Sequence, residues 1–134
     1  MAILLELQRA THATLHHLTA HLADLRLPPS ELNALANLGE QPDGAATVSR
    51  LGAAIGGRPT TLTGILDRLE QRGLLARGPH PTDRRTVMVR LTADGSAAAA
   101  RVLAAMAQIE RRALADLPPD AAEAFSAVLR RLAR

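Results

Sequence analysis

The sequence contains no cysteine, which excludes a disulfide framework, a thiolate zinc site and a thiol redox switch. It has no Trp or Tyr and a single Phe, Phe125, so it lacks the aromatic platforms on which single strands and RNA bases usually stack. No apolar run approaches the roughly 20 residues of a membrane span, and residues 1–7 carry neither the basic run nor the cleavage site of a secretion signal. These absences lead us to expect a folded protein of the reducing cytoplasm.

The length and composition predict one folded unit. The chain has 134 residues, of which 47% are hydrophobic and 22% are charged, as is usual for a single globular domain. It has no His-Glu-x-x-His metal motif, no Gly-rich phosphate loop and no nucleophile elbow. We therefore expect neither an enzyme nor a bound cofactor.

The charge is modest in total but unevenly distributed. The net charge is +3, and because Lys is absent all 16 basic residues are Arg. Residues 50–90 hold eight arginines against three acidic residues, a net charge of +5, whereas the remaining residues hold eight arginines against ten acidic residues, a net charge of −2. A basic middle between acidic ends favours a polyanionic partner for the middle of the chain.

Hydrophobic spacing, prolines and glycines divide the chain into six helices and a β-hairpin. Thr47 and Thr92 are predicted to be the N-caps of the third and fifth helices, and residues 41–46 are predicted to form a polar turn. The predicted order is helices at 3–25, 29–38, 48–55 and 59–72, strands at 74–77 and 86–91, and helices at 93–117 and 121–134.

This order predicts a mainly α fold with a small β-hairpin wing, in a single domain of residues 1–134. A winged helix-turn-helix is predicted over residues 28–92, flanked by helical dimerisation parts at 1–27 and 93–134. The fourth helix should direct an apolar face toward the core, formed by Leu62, Ile65, Leu66 and Leu69.

The flanking helices carry narrow apolar stripes with spacings of three and four residues, which are typical of helices that pack against another helix set. Because the winged helix-turn-helix at residues 28–92 offers these stripes no evident partner, they predict a homodimer. The residues expected between the two chains are Leu15, Leu18, Leu22, Leu25, Val102, Met106, Ile109, Phe125 and Leu129.

Several segments occur in an order and spacing that resemble the MarR family of bacterial transcription regulators over essentially the whole chain. These segments are the run 62–75, Asp83-Arg84-Arg85, the run 87–92 and Asp94-Gly95. The resemblance implies a homodimeric winged-helix DNA binder, often a repressor that a small ligand releases, with helices from both chain ends at the dimer interface.

The chain departs from the family pattern at one position in the fourth helix and one position just before it. Gly64 stands where many relatives have Arg or Lys, and Arg58 stands before the helix where a small polar residue is usual. We therefore expect the set of base-reading residues to be shifted toward Arg58.

The exposed N-terminal turns of a recognition helix read base edges, and small hydroxyl residues there allow close approach. In the hairpin loop, prolines should hold Arg84 and Arg85 toward a minor groove, and Asp83 should orient the guanidinium of Arg85 through a charge-assisted hydrogen bond. The predicted DNA-binding residues are Arg58, Thr60, Thr61, Thr63, Arg68, Arg77, Asp83, Arg84 and Arg85.

Two alternatives remain open. A winged-helix dimer that binds protein instead of DNA would share these elements. The first helix also carries His12, His16, His17 and His21, but at roughly 100° per residue they are spread around the helix. Because one helix cannot bring all four to one ion, solvated or pocket-lining histidines are favoured over a metal site.

The expected partners are double-stranded DNA, a second copy of the chain and an unidentified small-molecule effector, whose pocket should be aliphatic with His or Arg supplying polarity.

Overall fold

A computed structural model describes residues 1–134 and contains six α-helices and one three-stranded antiparallel sheet. No helix combines the length and the apolar character needed to cross a membrane. The mainly α fold with a hairpin wing is the predicted one. The elements are α1 (Ile3–His21), α2 (Pro29–Gly39), β1 (Ala45–Thr47), α3 (Val48–Ile55), α4 (Pro59–Gln71), β2 (Leu75–Pro79), β3 (Val87–Leu91), α5 (Ala93–Leu114) and α6 (Ala121–Leu132).

The helix starts follow from the local sequence. Thr47 Oγ1 accepts the backbone N–H of Arg50 at 3.0 Å, and Thr92 Oγ1 accepts that of Gly95 at 3.0 Å, so both predicted N-caps are confirmed. Helices α2 and α4 begin at Pro29 and Pro59, where the missing N–H costs nothing because the first turn leaves it unused.

The core lies where α2 packs against α5, α3, α4 and β3. Its largest fully buried side chains include Leu32, Leu35 and Leu38 of α2. The predicted inner face of α4, formed by Leu62, Ile65, Leu66 and Leu69, is buried as well. This packing holds α4 against the body of the domain and leaves its opposite face uncovered.

Some boundaries differ from the prediction. The helix α1 ends at His21 instead of residue 25, because the chain turns through a 3-10 turn into Arg26, which has a left-handed φ of 54°. Helices α5 and α6 end three and two residues earlier than predicted. The predicted polar turn at 41–46 contains the start of β1, which pairs with β3 through Ala46 and Val89.

The prediction of the dimer stripe is wrong for three residues. Leu18, Leu22 and Val102 are only 4%, 3% and 0% exposed within a single chain, because α1 and α5 pack against each other and against α2. They therefore have almost no surface left for a second chain. Leu15 is half-buried, and Leu25, Met106 and Ile109 are half-buried against the same core.

The predicted dimer residues of α6, in contrast, keep exposed surface, because α6 buries none of its residues in the chain. Phe125 is 57% exposed and Leu129 is half-buried. Further exposed apolar side chains lie at the start of α1 and on or just before α6: Ile3, Leu4, Leu5, Leu117, Val128 and Leu132.

Candidate nucleic-acid interface

The candidate interface begins at the turn between α3 and α4. Gly56 and Gly57 have φ values of 78° and 88°, in the left-handed region that glycine adopts without strain. The turn places Arg58 immediately before α4, where its side chain is exposed and has no hydrogen-bond partner in the chain. Arg58 is therefore exposed and unpaired at the N-terminal end of α4.

The uncovered face of α4 carries the predicted threonines. Thr60, Thr61 and Thr63 are all exposed. The hydroxyl of Thr63 donates to the carbonyl of Pro59 at 3.1 Å, whereas those of Thr60 and Thr61 make no hydrogen bond within the chain. Thr60 and Thr61 thus present free hydroxyl groups beside Arg58.

Asp83 organises the loop between β2 and β3, but not in the predicted way. Its carboxylate accepts the backbone N–H of Arg85 at 3.0 Å and the hydroxyl of Thr86 at 2.8 Å, and it makes no bond to the Arg85 guanidinium. The Arg85 N–H, followed by the Thr86 hydroxyl, lowers the pKa of Asp83. Asp83 therefore fixes the backbone from which the Arg85 side chain projects.

His80 holds the other side of the same loop. Its Nδ1 accepts the backbone N–H groups of Thr82 and Asp83, at 3.1 and 3.2 Å. The sequence gives no sign of this role for His80, because a local side-chain bond of this kind has no distinctive spacing. The loop is thus held by two side chains that bind its own backbone.

Arg84 and Arg85 are exposed, and neither forms an ion pair. Between α3, α4 and the loop lies a groove of about 490 Å³ whose walls include Ser49, Thr63 and Arg85. The structure therefore brings a threonine of α4 and an arginine of the β2–β3 loop to one concave surface.

Arg77, a predicted DNA-binding residue, has a guanidinium that is paired within the chain. It lies at 2.6 Å from Asp67 and 2.8 Å from Glu70, and its backbone N–H donates to Glu70 at 3.0 Å. That N–H, followed by the guanidinium bonds, lowers the pKa of Glu70. Because its charge is matched by two carboxylates of α4, Arg77 joins the wing to α4 instead of offering a free cation to DNA.

Arg68 is held by a residue that the sequence analysis missed. Its Nε donates at 3.1 Å to Glu31 Oε2, and the Glu31 side chain is only 3% exposed while that of Arg68 is 55% exposed. The sequence feature that could have indicated this partner is the acidic Glu31 beside the apolar residues of α2. Arg72, which was also not predicted, donates to the carbonyls of Leu25 and Arg26 at 2.6 and 2.8 Å.

The histidines of α1 separate into two groups. His17 and His21 line a groove of about 410 Å³ between α1 and α5, together with Ile109 and Arg112. His12 and His16 are exposed and take no part in it. No group of three or more His, Asp or Glu side chains could hold a metal ion.

The sequence of the chain is similar to one family of known proteins. The sequence model of the MarR family matches residues 27–87. The chain is 34% identical to the transcriptional repressor MdtR of Bacillus subtilis over 92 residues, which are 69% of the chain and 58% of MdtR. It spans only 44% to 64% of the length of MdtR and two further curated relatives.

Two solved structures are similar over most of their length. One is BpsR of Bordetella bronchiseptica, whose DNA binding is regulated by 6-hydroxynicotinic acid; it is 28% identical, with all of both chains covered and a TM-score of 0.79. The other is a MarR family transcriptional regulator from Silicibacter pomeroyi, 27% identical over 94% of this chain and 83% of that one, with a TM-score of 0.82. MdtR and the Silicibacter pomeroyi protein are transcriptional regulators and not enzymes.

Proposed function

This chain belongs to the MarR family, and on that premise we propose that it is a sequence-specific DNA-binding transcriptional regulator that works as a homodimeric repressor. The observation that carries the proposal is the pairing of two free polar surfaces. The uncovered face of α4 offers Thr60 and Thr61, and the wing beside it offers Arg84 and Arg85 without ion-pair partners. Helices of this kind read the major groove, and basic loops suit the minor groove.

The proposed homodimer is supported by α6 and the start of α1. A 12-residue helix that buries no side chain in its own chain is marginal in water, because isolated helices of that length hardly form. Beside α6 lies an apolar groove of about 630 Å³ lined by Leu114, Leu117, Phe125 and Leu129 among others. A second copy of the chain would cover this groove and bring two recognition helices onto one DNA site.

An effector that releases the repressor is part of the proposal. BpsR supplies the precedent of a relative whose DNA binding is regulated by a small organic acid. In this chain the groove between α1 and α5 combines Leu18 and Ile109 with His17, His21 and Arg112. This composition supports the proposal of an aliphatic effector pocket in which His or Arg supplies polarity. We further propose that the protein acts in the cytoplasm, where its DNA is.

A salt-titrated gel shift tests the proposed function. The purified chain is mixed with promoter fragments of its own genome and with a shuffled duplex of equal length. The proposal expects a retarded complex with one fragment at salt concentrations that abolish binding to the shuffled duplex. Added salt weakens the phosphate contacts that all duplexes share, whereas contacts to base edges still hold the specific duplex. Equal binding to every duplex at all salt concentrations, or none, would favour a winged-helix dimer that binds protein.

A further inference from the structure

The arginine at position 68 lies on the same face of α4 as the exposed Thr61. At 100° per residue, Arg68 is about 20° from Thr61 around the helix axis and about two turns further along it. Helical side chains point back toward the N-terminus. The guanidinium of Arg68 accordingly lies over Gly64, where a Cβ would come within 3.1 Å of its Nη1.

Glycine and a buried acid together hold the guanidinium in this place. Gly64 has no side chain that would lift Arg68 away from the helix. On the other side, Glu31 of α2 accepts Nε of Arg68 at 3.1 Å, and Glu31 is buried in the domain. The bond is made by Nε alone, so Nη1 and Nη2 have no partner in the chain and the side chain is 55% exposed.

We infer that Arg68, held over Gly64 by Glu31, reads a guanine in the major groove through its two free Nη groups, with Glu31 as a positioning residue. Paired donors in a plane match the O6 and N7 acceptors of guanine. A guanidinium already fixed by its third nitrogen also loses less side-chain freedom when it binds. The inference rests on the proposed function, because it requires α4 to lie in the major groove.

A base contact is favoured over a phosphate contact by the position of the guanidinium. It lies at the level of Gly64, about one turn from Thr60 and Thr61, in the half of α4 that would enter the groove first. A phosphate contact carries no sequence information, so a buried partner that fixes the direction of the arginine adds nothing to it. A contact to a base edge becomes more selective when the direction of the guanidinium is fixed. Arg84 and Arg85, which have no such partner, are suited to the less selective minor groove.

The test uses the duplexes that the parent protein selects from a randomised double-stranded library. Arg68→Ala is expected to lose the preference for guanine at one position of each half-site by about tenfold or more, with the preferences at the other positions unchanged. Gly64→Ala keeps the helix but places a methyl group against Nη1, and should reduce the same preference. Glu31→Ala should resemble Gly64→Ala, whereas Glu31→Gln, which can still accept from Nε, should restore most of the preference.

Two controls separate this result from general damage. Arg111→Ala removes an exposed arginine of α5 and should leave every base preference unchanged. Arg68→Lys should keep the affinity for shuffled DNA but lose the guanine preference, because the lysine ammonium lacks the paired donors of a guanidinium. The inference is overturned if Arg68→Ala weakens binding to all sequences equally, which indicates a phosphate contact, or if Gly64→Ala retains the full guanine preference. A parent that selects no sequence at all overturns the proposed function and this inference with it.

Discussion

The first turn of α5 should not tolerate even one added methyl group at Gly95. A Cβ at this position would overlap the carbonyl oxygen of Leu74 and lie 2.7 Å from its carbonyl carbon. The strand end cannot move aside freely, because the Leu74 carbonyl accepts the Thr92 N–H at 3.1 Å and the Gly73 carbonyl accepts the Thr92 hydroxyl at 2.6 Å. The joint between the wing and α5 is therefore fixed on both sides of the clash.

The expected cost of Gly95→Ala is large for a single methyl group. Overpacking in a well-packed region costs about 1–3 kcal/mol, and a clash with held backbone lies at the upper end. The higher helix propensity of alanine offsets at most about 1 kcal/mol. We expect a net loss of about 2 kcal/mol in the free energy of unfolding, measured by urea unfolding with circular dichroism at a fixed protein concentration.

Gly64→Ala is the matched control, since it makes the same change within another helix. The nearest atoms to its Cβ outside its own helix backbone belong to the Arg68 guanidinium, a side-chain tip that can shift at the cost of its bond to Glu31. Gly64→Ala should therefore lose less stability than Gly95→Ala. If Gly95→Ala were as stable as the parent, the described packing of residues 73–74 against α5 would be wrong.

Three further predictions concern the wing and the assembly. Arg85→Ala should weaken binding to specific and shuffled DNA alike and reduce the slope of log affinity against log salt by about one unit, as salt-titrated binding would measure; an unchanged slope would exclude Arg85 from the interface. Because bonds to the loop lower the pKa of Asp83 in the folded state, its contribution to loop order should be complete above the ordinary carboxyl pKa and be lost as the pH falls through the lowered value, below about pH 4. The NMR signal of the Arg85 amide should report this loss in the parent, and its titration should be absent in Asp83→Asn. Phe125→Asp should convert a dimer into a monomer in sedimentation at micromolar concentration, and a variant that remains dimeric would exclude α6 from the interface.

Local patterns predicted the parts of the fold that local chemistry determines. The inner face of α4 followed from its apolar spacing, and the caps at Thr47 and Thr92 followed from hydroxyl side chains before helices. The strand β1 was missed because three residues are too few to show alternation, and its pairing partner in β3 lies more than 40 residues away. An apolar stripe indicates that a face is buried but not by what, which is why Leu18 was assigned to a second chain.

The candidate site divides in the same way. The exposure of Thr60, Thr61 and Arg85 follows from their places on a helix and a loop, so residue type and spacing suffice to predict it. The partners of Arg68 and Arg77 depend on how α2, α4 and the wing pack together, and Glu31 is separated from Arg68 by 37 residues in sequence. A basic residue can be recognised from the sequence, but whether its charge is free is decided by tertiary contacts.

The most direct test of the DNA-binding account is a hydroxyl-radical footprint of the purified chain on the duplex that it selects from its own genome. The account predicts an imperfect palindrome with two protected half-sites about 10 bp apart, centre to centre, because a two-fold dimer presents two copies of α4 about one DNA turn apart. Protection of a single unrepeated site by one chain, or the absence of any selected sequence, would contradict it.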